Sequence, residues 1–307
     1  TKGAGKARMN EAYKKQVQLL LTVVPEVAKE ECFAMHGGTA INLFVRDMPR
    51  LSVDIDLTYV ELNTRTEALA GMNAGLRHVK QRIEALRPSI HVQHKADVCK
   101  LQLEEGGVTI KIEVNTVGRG LLGRLEKMPV CDAAQDAFDA FCAMPVVPLA
   151  QLYGGKLCAA LDRQHPRDLF DVKLLLENEG LSDEIKRGLL YGLICSNRPT
   201  HEMLDPNLLD QRAAFENQFE GMSAIAFSYD DFEATRWALI NQVRSCFDDR
   251  DKAFLLSLNR LRPDWSIYDY QVFPAVKWKL RNLERFKKNR PNEYAQQLQA
   301  MDDVLRS

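Results

Sequence analysis

Residues 35–60, MHGGTAINLFVRDMPRLSVDIDLTYV, hold the types and spacings with the most chemical content. Val53, Ile55, Leu57 and Tyr59 alternate with Asp54, Asp56 and Thr58, the period-two signature of a strand. Both carboxylates then leave one face and can share a cation. Paired hard oxygens suit Mg²⁺ (or Mn²⁺), which keeps waters and completes its shell from substrate phosphates. Gly37 and Gly38 precede AINLFV, an apolar run that reads as a short helix ended by Pro49. Bare backbone N–H groups at such a helix start can hold phosphate, and Thr39 adds a hydroxyl. A third carboxylate, Glu113 in IKIEVN, alternates with Ile112 and Val114 and so lies opposite the apolar face. If its strand lies beside that of Asp54, three carboxylates converge at one sheet edge. Separately, a DxD on a strand and a GG before a helix are commonplace. Together, in this order, they suit nucleotidyl transfer, in which held cations activate an attacking hydroxyl and grip a triphosphate.

Those residues need a sheet and flanking helices to position them. A helical pattern covers 9–31 with an interruption at Pro25, and another covers 64–87 with Leu69, Met72, Leu76, Val79, Ile83 and Leu86 on one stripe. A hairpin follows: Cys99, Leu101 and Leu103 alternate, Glu105-Gly106-Gly107 turns the chain, and Ile110, Ile112 and Val114 alternate back. Residues 118–148 are mixed and read as a connection with a short helix or strand. Beyond Pro148 nearly everything is helical: 149–162, 166–178, 182–194, 207–218, 230–246, 250–258 and 275–303. The fold class is therefore α+β, a mixed sheet with flanking helices over residues 1–148 followed by an all-helical domain over 149–307.

Lys plus Arg is 41 and Asp plus Glu is 42, so a net charge of −1 gives no global pull towards nucleic acid, and any such contact needs a local patch. One exists at 277–290, KWKLRNLERFKKNR, where Val276, Leu280 and Leu283 form an inward stripe and seven cations, Lys279 among them, fan outwards. It reads either as a solvated face or as a phosphate-tracking surface. Seven cysteines without a CxxC read as reduced, buried thiols. HVQH, residues 91–94, lacks a second ligand pair at zinc spacing. The residues before Met9 read as a frayed leader or remnant with no signal-peptide pattern, and no apolar run spans a bilayer, so a cytoplasmic protein is expected.

GGT…SVDIDL, then IKIEVN, then LAQLYGGKLCAALDRQHPRDLFDV resembles the AbiEii type of nucleotidyltransferase over about residues 30–175. That group holds the toxins of bacterial AbiE and MenAT-type toxin–antitoxin pairs, within the DNA polymerase β-like nucleotidyltransferase superfamily. Thr39 stands where the wider superfamily has Ser, which keeps the hydroxyl. The resemblance implies that Gly37, Gly38 and Thr39 line the triphosphate with Ser52 nearby, and that Asp54, Asp56 and Glu113 bind metal. It implies that Lys156 is a catalytic or NTP-binding lysine, that Asp168 is its partnering acid, and that the helical domain completes the active site and offers the acceptor surface. Arg167 and Asp171 are less secure.

It implies further a Mg-dependent transfer of NMP from an NTP to an RNA such as the tRNA 3′ end, by the toxin of a type IV-like abortive-infection pair. An AbiEi-type winged-helix antitoxin would be the partner. The alternatives are an aminoglycoside-type nucleotidyltransferase and a nucleotide-binding module without turnover. As an NTP-binding lysine Lys156 would, when lost, weaken NTP use more than stability; from the residues alone it also reads as a helix lysine reaching water, whose loss would leave activity unchanged. Asp168 also reads as a first-turn acid favouring the helix dipole, and Arg167 with Asp171 as a surface i,i+4 pair.

Overall fold

Residues 10–306 are described in a computed structural model, so the basic stretch before Met9 lies outside the described residues. Helix α1, Glu11–Val27, opens where the Asn10 side chain accepts the Ala12 N–H at 2.8 Å. Pro25 lies inside its last turn and does not interrupt it. Strand β1, Phe33–His36, leads into a helical turn, α2, Gly37–Ala40, which widens into a π-helical turn over Ile41–Val45. Then come β2 (Asp54–Tyr59), α3 (Arg65–Leu86, opened by a Thr64–Glu67 capping box), β3 (His91–Lys95), β4 (Lys100–Glu105) and β5 (Val108–Asn115). The 118–148 connection resolves into β6 (Glu126–Pro129), α4 (Asp132–Phe138) and β7 (Ala143–Val146).

The seven strands form one mixed sheet in the order β3-β4-β5-β2-β1-β7-β6. Strand β2 is antiparallel to β1 and parallel to β5, and it is fourth of the seven. The expected carboxylate cluster at a sheet edge is therefore corrected: Asp54 and Asp56 ride on the central strand. Two strands, β1 and β3, were not expected. In β1, Phe33, Ala34 and Met35 are all fully buried, so no alternation marks it, as befits a strand covered on both faces. The opposite face of β2 carries Ile55, Leu57 and Tyr59, buried with Ile112 and Val114 of β5 and Leu101 and Leu103 of β4. Helix α1 packs on β5, and α3 on β3 and β4, to close that core.

The rest of the chain is helical: α5 (Leu149–Arg163), α6 (Pro166–Asn178), α7 (Asp183–Cys195), α8 (Thr200–Leu204), α9 (Arg212–Gln218), α10 (Tyr229–Cys246), α11 (Asp249–Asn259), α12 (Pro274–Asn289) and α13 (Pro291–Arg306). The expected single helix over 275–303 is two. Pro291 disfavours helical backbone at Arg290, which takes φ −141° and ψ 66°. Helices α5 and α7 cross at glycines, since a Cβ on Gly154 would strike the backbone of Gly188.

The chain forms two compact units. Of the described residues, the first holds those up to Pro148 plus Glu216–Phe227, and the second holds Leu149–Phe215 plus those from Ser228. The expectation that all residues beyond 148 form the helical domain is thus corrected for 216–227. That segment is tied to the first unit by main-chain bonds: Leu51 N to Met222 O (2.7 Å), Ala224 N to Pro49 O (3.1 Å) and Asn10 N to Gly221 O (2.8 Å). Among the described residues all seven cysteines are free and no helix is long and apolar enough to cross a membrane.

Candidate active site

In the first unit the site grows from a continuous alternation. Arg50, Ser52, Asp54 and Asp56 fall at every second position, between Leu51, Val53, Ile55 and Leu57. The antiparallel register sets His36, the last residue of β1, opposite Asp56, and the parallel register sets Glu113 of β5 beside Asp56 on its other side. Asp54 and Asp56 share one face of β2, both half-buried.

The turn after His36 folds tightly against these carboxylates. Gly37 has φ +76°, a left-handed conformation that costs a residue with a Cβ about 1–2 kcal/mol. A Cβ there would also collide with Oδ2 of Asp56. At Gly38 a Cβ would lie 2.8 Å from Nη2 of Arg50 and 3.1 Å from Oγ of Ser52. The two glycines thus bring bare backbone against one carboxylate and one guanidinium. Thr39 is fully buried and fastens the turn to the strand: its hydroxyl donates to the Asp54 carbonyl at 2.5 Å and accepts from Ser52 Oγ at 3.0 Å.

Glu113 is on the same face as Asp54 and Asp56, but its carboxylate pairs with Lys100 of β4. Among the described residues no three His, Cys, Asp or Glu side chains gather closely enough to hold a metal. The strands align the three carboxylates in register, while only the two aspartates leave a hard-oxygen pair on one strand. That pair fits a cation such as Mg²⁺, which needs one or two carboxylates and takes its remaining ligands from water and phosphate.

The second unit holds Lys156, Asp168 and Asp171. Lys156 on α5 is only 6% exposed, which overturns the reading of a lysine reaching water. Its Nζ lies 2.8 Å from Asp168 Oδ1 and 2.9 Å from Asp171 Oδ2, both carboxylates fully buried on α6. Arg163 Nε adds a contact to Asp168 Oδ2 at 2.6 Å. Helix α6 begins at His165, whose Nδ1 accepts the Arg167 N–H at 3.2 Å, with Pro166 in its first turn, so Asp168 and Asp171 face α5 together. Burial alone would raise the Asp168 pKa. The charge of Lys156 and the hydrogen bond and charge of Arg163 outweigh it and hold the carboxyl well below the usual range. Asp168 is therefore an anion at every physiological pH. The surface reading of Asp171 is also overturned, since its side chain is fully buried and its carboxylate meets Lys156.

Sequence reasoning missed Arg50 and left Asp171 insecure. Arg50 is 2% exposed and packs its guanidinium against Gly38, with Nη1 donating to the Leu51 carbonyl at 2.9 Å. Extending the strand alternation upstream by two steps would have found it. Asp171 as a second lysine partner carried a weaker signal, its three-residue spacing from Asp168 on one helix face.

A central strand with an alternating Asp pair, against a glycine turn in a mixed sheet, defines a nucleotidyltransferase-type fold. The fold is similar to that of MenT4, a nucleotidyltransferase toxin from Mycobacterium tuberculosis H37Rv, with a TM-score of 0.61 and 14% identity over 89% of this chain and 93% of that one. The family model for the nucleotidyl transferase AbiEii toxin of type IV toxin–antitoxin systems matches residues 18–282, and the chain belongs to that family. It is a nucleotidyltransferase that uses an NTP and releases pyrophosphate, and membership brings with it an antitoxin partner. No curated sequence matches the chain.

Proposed function

We propose that the protein transfers a nucleoside monophosphate from an NTP to a hydroxyl of an RNA, such as the 3′ end of a tRNA, with Mg²⁺ bound. The carrying observation is the packing of the Gly37 backbone against the Asp56 carboxylate, beside Asp54 on the same strand face. Backbone N–H groups of the turn and a carboxylate-held cation address the same group, a triphosphate.

Asp54 and Asp56 would hold the metal, which when bound supplies Lewis acidity at the phosphates. Glu113 serves as a third acid once released from Lys100. Gly37 and Gly38 cradle phosphate oxygens, Thr39 and Ser52 keep the turn on the strand, and Arg50 adds positive charge behind it. Lys156 is the cation assigned to the triphosphate, fixed in direction by Asp168 and Asp171. In the reaction the acceptor oxygen bonds to the α-phosphorus as its hydroxyl proton passes to solvent, and the bond to the bridging oxygen breaks, so pyrophosphate leaves with its electron pair.

The RNA acceptor is supported by helix α12. Lys277, Arg281, Arg285, Lys287 and Lys288 are exposed on a protein whose net charge is −1. Lys279 leaves the set proposed from sequence because it is buried, at 8% exposure. Toxicity follows if the modified end can no longer serve translation, and an AbiEi-type winged-helix protein is the antitoxin this reading expects.

The test is incubation with total RNA and each labelled NTP in turn, with and without EDTA. Label in a tRNA-sized band, lost with EDTA, is the expected result. Label in small molecules alone would favour an aminoglycoside-type acceptor, and nucleotide binding without any label would mean a binding module.

A further inference from the structure

The helical unit contains a cavity of about 290 Å³ between the segment that follows α7 and one side of α12 and α13. Its wall combines three kinds of group. Trp278 and Phe286 give aromatic surface, with Trp278 42% exposed. Asn197, Asn282 and Gln297 give amide donors and acceptors, none of them hydrogen-bonded to another described residue.

The third is Lys279. Its Nζ donates to the carbonyl oxygens of Ser196 (2.7 Å) and Arg198 (3.2 Å), and among the described residues no carboxylate pairs with it. An ammonium carries three donors, so one is left after these two. Burial pushes this ammonium down to about 8, with only the neighbouring Cys195 acting the other way. A buried lysine with a spare donor, aromatic walls and solvent-facing amides match the face and edge of a heteroaromatic ring. A small anion would instead call for a second cation, and no arginine or other lysine lines the cavity.

We propose that this cavity takes one unstacked base of a single-stranded RNA segment, with Trp278 stacking on it, Asn282 and Gln297 reading its polar edge, and Lys279 donating to a ring or carbonyl acceptor. The exposed cations of the same helix, Lys277, Arg281 and Arg285 among them, run beside it and would track the flanking phosphates. Single-strand binders recur to this pairing of a stacking platform with a basic track. The inference rests on the RNA-acceptor reading for the source of the base.

The experiment measures affinity of the full chain for labelled single-stranded RNA oligomers of each base, for an abasic oligomer of equal length and for nucleoside monophosphates, at several salt concentrations. Trp278→Ala and Asn282→Ala are compared with wild type. Trp278→Ala is expected to weaken base-containing RNA by roughly 10-fold or more, with an unchanged salt slope and no effect on the abasic oligomer. Asn282→Ala is expected to narrow the differences among the four bases. Equal wild-type affinity for abasic and base-containing RNA overturns the proposal, as does an unaltered Trp278→Ala variant. Monophosphates that bind as tightly as RNA in a Trp278-dependent way would make the occupant a free nucleotide instead. Transfer to RNA is assayed on the same preparations. Transfer without base-dependent binding sinks this inference alone, whereas base-dependent binding without NTP turnover sinks the functional reading alone.

Discussion

Replacing Lys279 by Met isolates a buried charge whose cost depends on pH. The side chain is 8% exposed and its ammonium meets only two carbonyl oxygens. Its pKa falls from the ordinary 10.5 to about 8, chiefly through burial. Between those values the unfolded chain holds a proton that the native chain has released, so native stability gains as pH rises through the window. Below about pH 8 the penalty is complete. At about 1.4 kcal/mol per pH unit, the gap corresponds to about 3 kcal/mol.

Met keeps the length of the stem and removes the charge, but it leaves the Ser196 and Arg198 carbonyls without this donor, a loss of roughly 1–3 kcal/mol for each one that stays dry. At pH 7 relief and loss largely offset each other. At pH 10.5 only the loss remains. The variant is therefore expected to fall behind wild type by about 3 kcal/mol more at pH 10.5 than at pH 7. Urea unfolding followed by tryptophan fluorescence measures this, because Trp237, Trp265 and Trp278 all lie in the helical unit. Titrations of thiols and tyrosines common to both proteins cancel in the difference. A stability difference that stays flat from pH 7 to 10.5 would refute the claim that a charged lysine is buried there without a counter-ion.

Asp54→Ala is expected to abolish transfer while the melting temperature stays close to wild type, since a half-buried side chain on a strand face is lost; near wild-type labelling would remove Asp54 from the metal site. Gly37→Ala is expected to cost at least about 1–2 kcal/mol from its positive φ, and to lose activity as the new Cβ displaces the Asp56 carboxylate; urea midpoints and turnover on one preparation read both. Lys156→Ala removes the buried cation that Asp168 and Asp171 share, so stability should drop by roughly 3–5 kcal/mol along with activity, a larger structural effect than the sequence alone led us to expect. Adding Asp168→Asn and Asp171→Asn to Lys156→Met is expected to recover much of that stability and none of the turnover, and recovered turnover would deny the lysine a role in the reaction.

Much of this protein is written locally. The alternation through β2 sets Asp54 and Asp56 on one face whatever the strand pairs with, because successive side chains of an extended chain must point opposite ways. The Gly37-Gly38 turn, the hairpin at Gly106-Gly107, the helical half beyond Pro148 and the resemblance to the AbiEii toxins were legible for the same reason. Each depends on residues close together in the chain.

What the sequence could not decide depends on neighbours distant along the chain. β1 has no period because both of its faces are covered, and only the assembled sheet covers them. The position of β2 in the middle of that sheet, and the register that brings Glu113 beside Asp56, follow from strand order. So does the contact of Glu113 with Lys100. Lys156 could face water or acid on its own helix, and it is α6 packing against α5 that gives it two carboxylates. Lys279 shows the boundary between the two kinds of information. Its spacing of three from Val276 and four from Leu283 puts it within the apolar stripe of α12. Whether a lysine there turns its ammonium out to water or inwards depends on what the stripe meets. Here the Ser196 and Arg198 carbonyls, contributed by another segment, accept it inside, and only the tertiary structure supplies them.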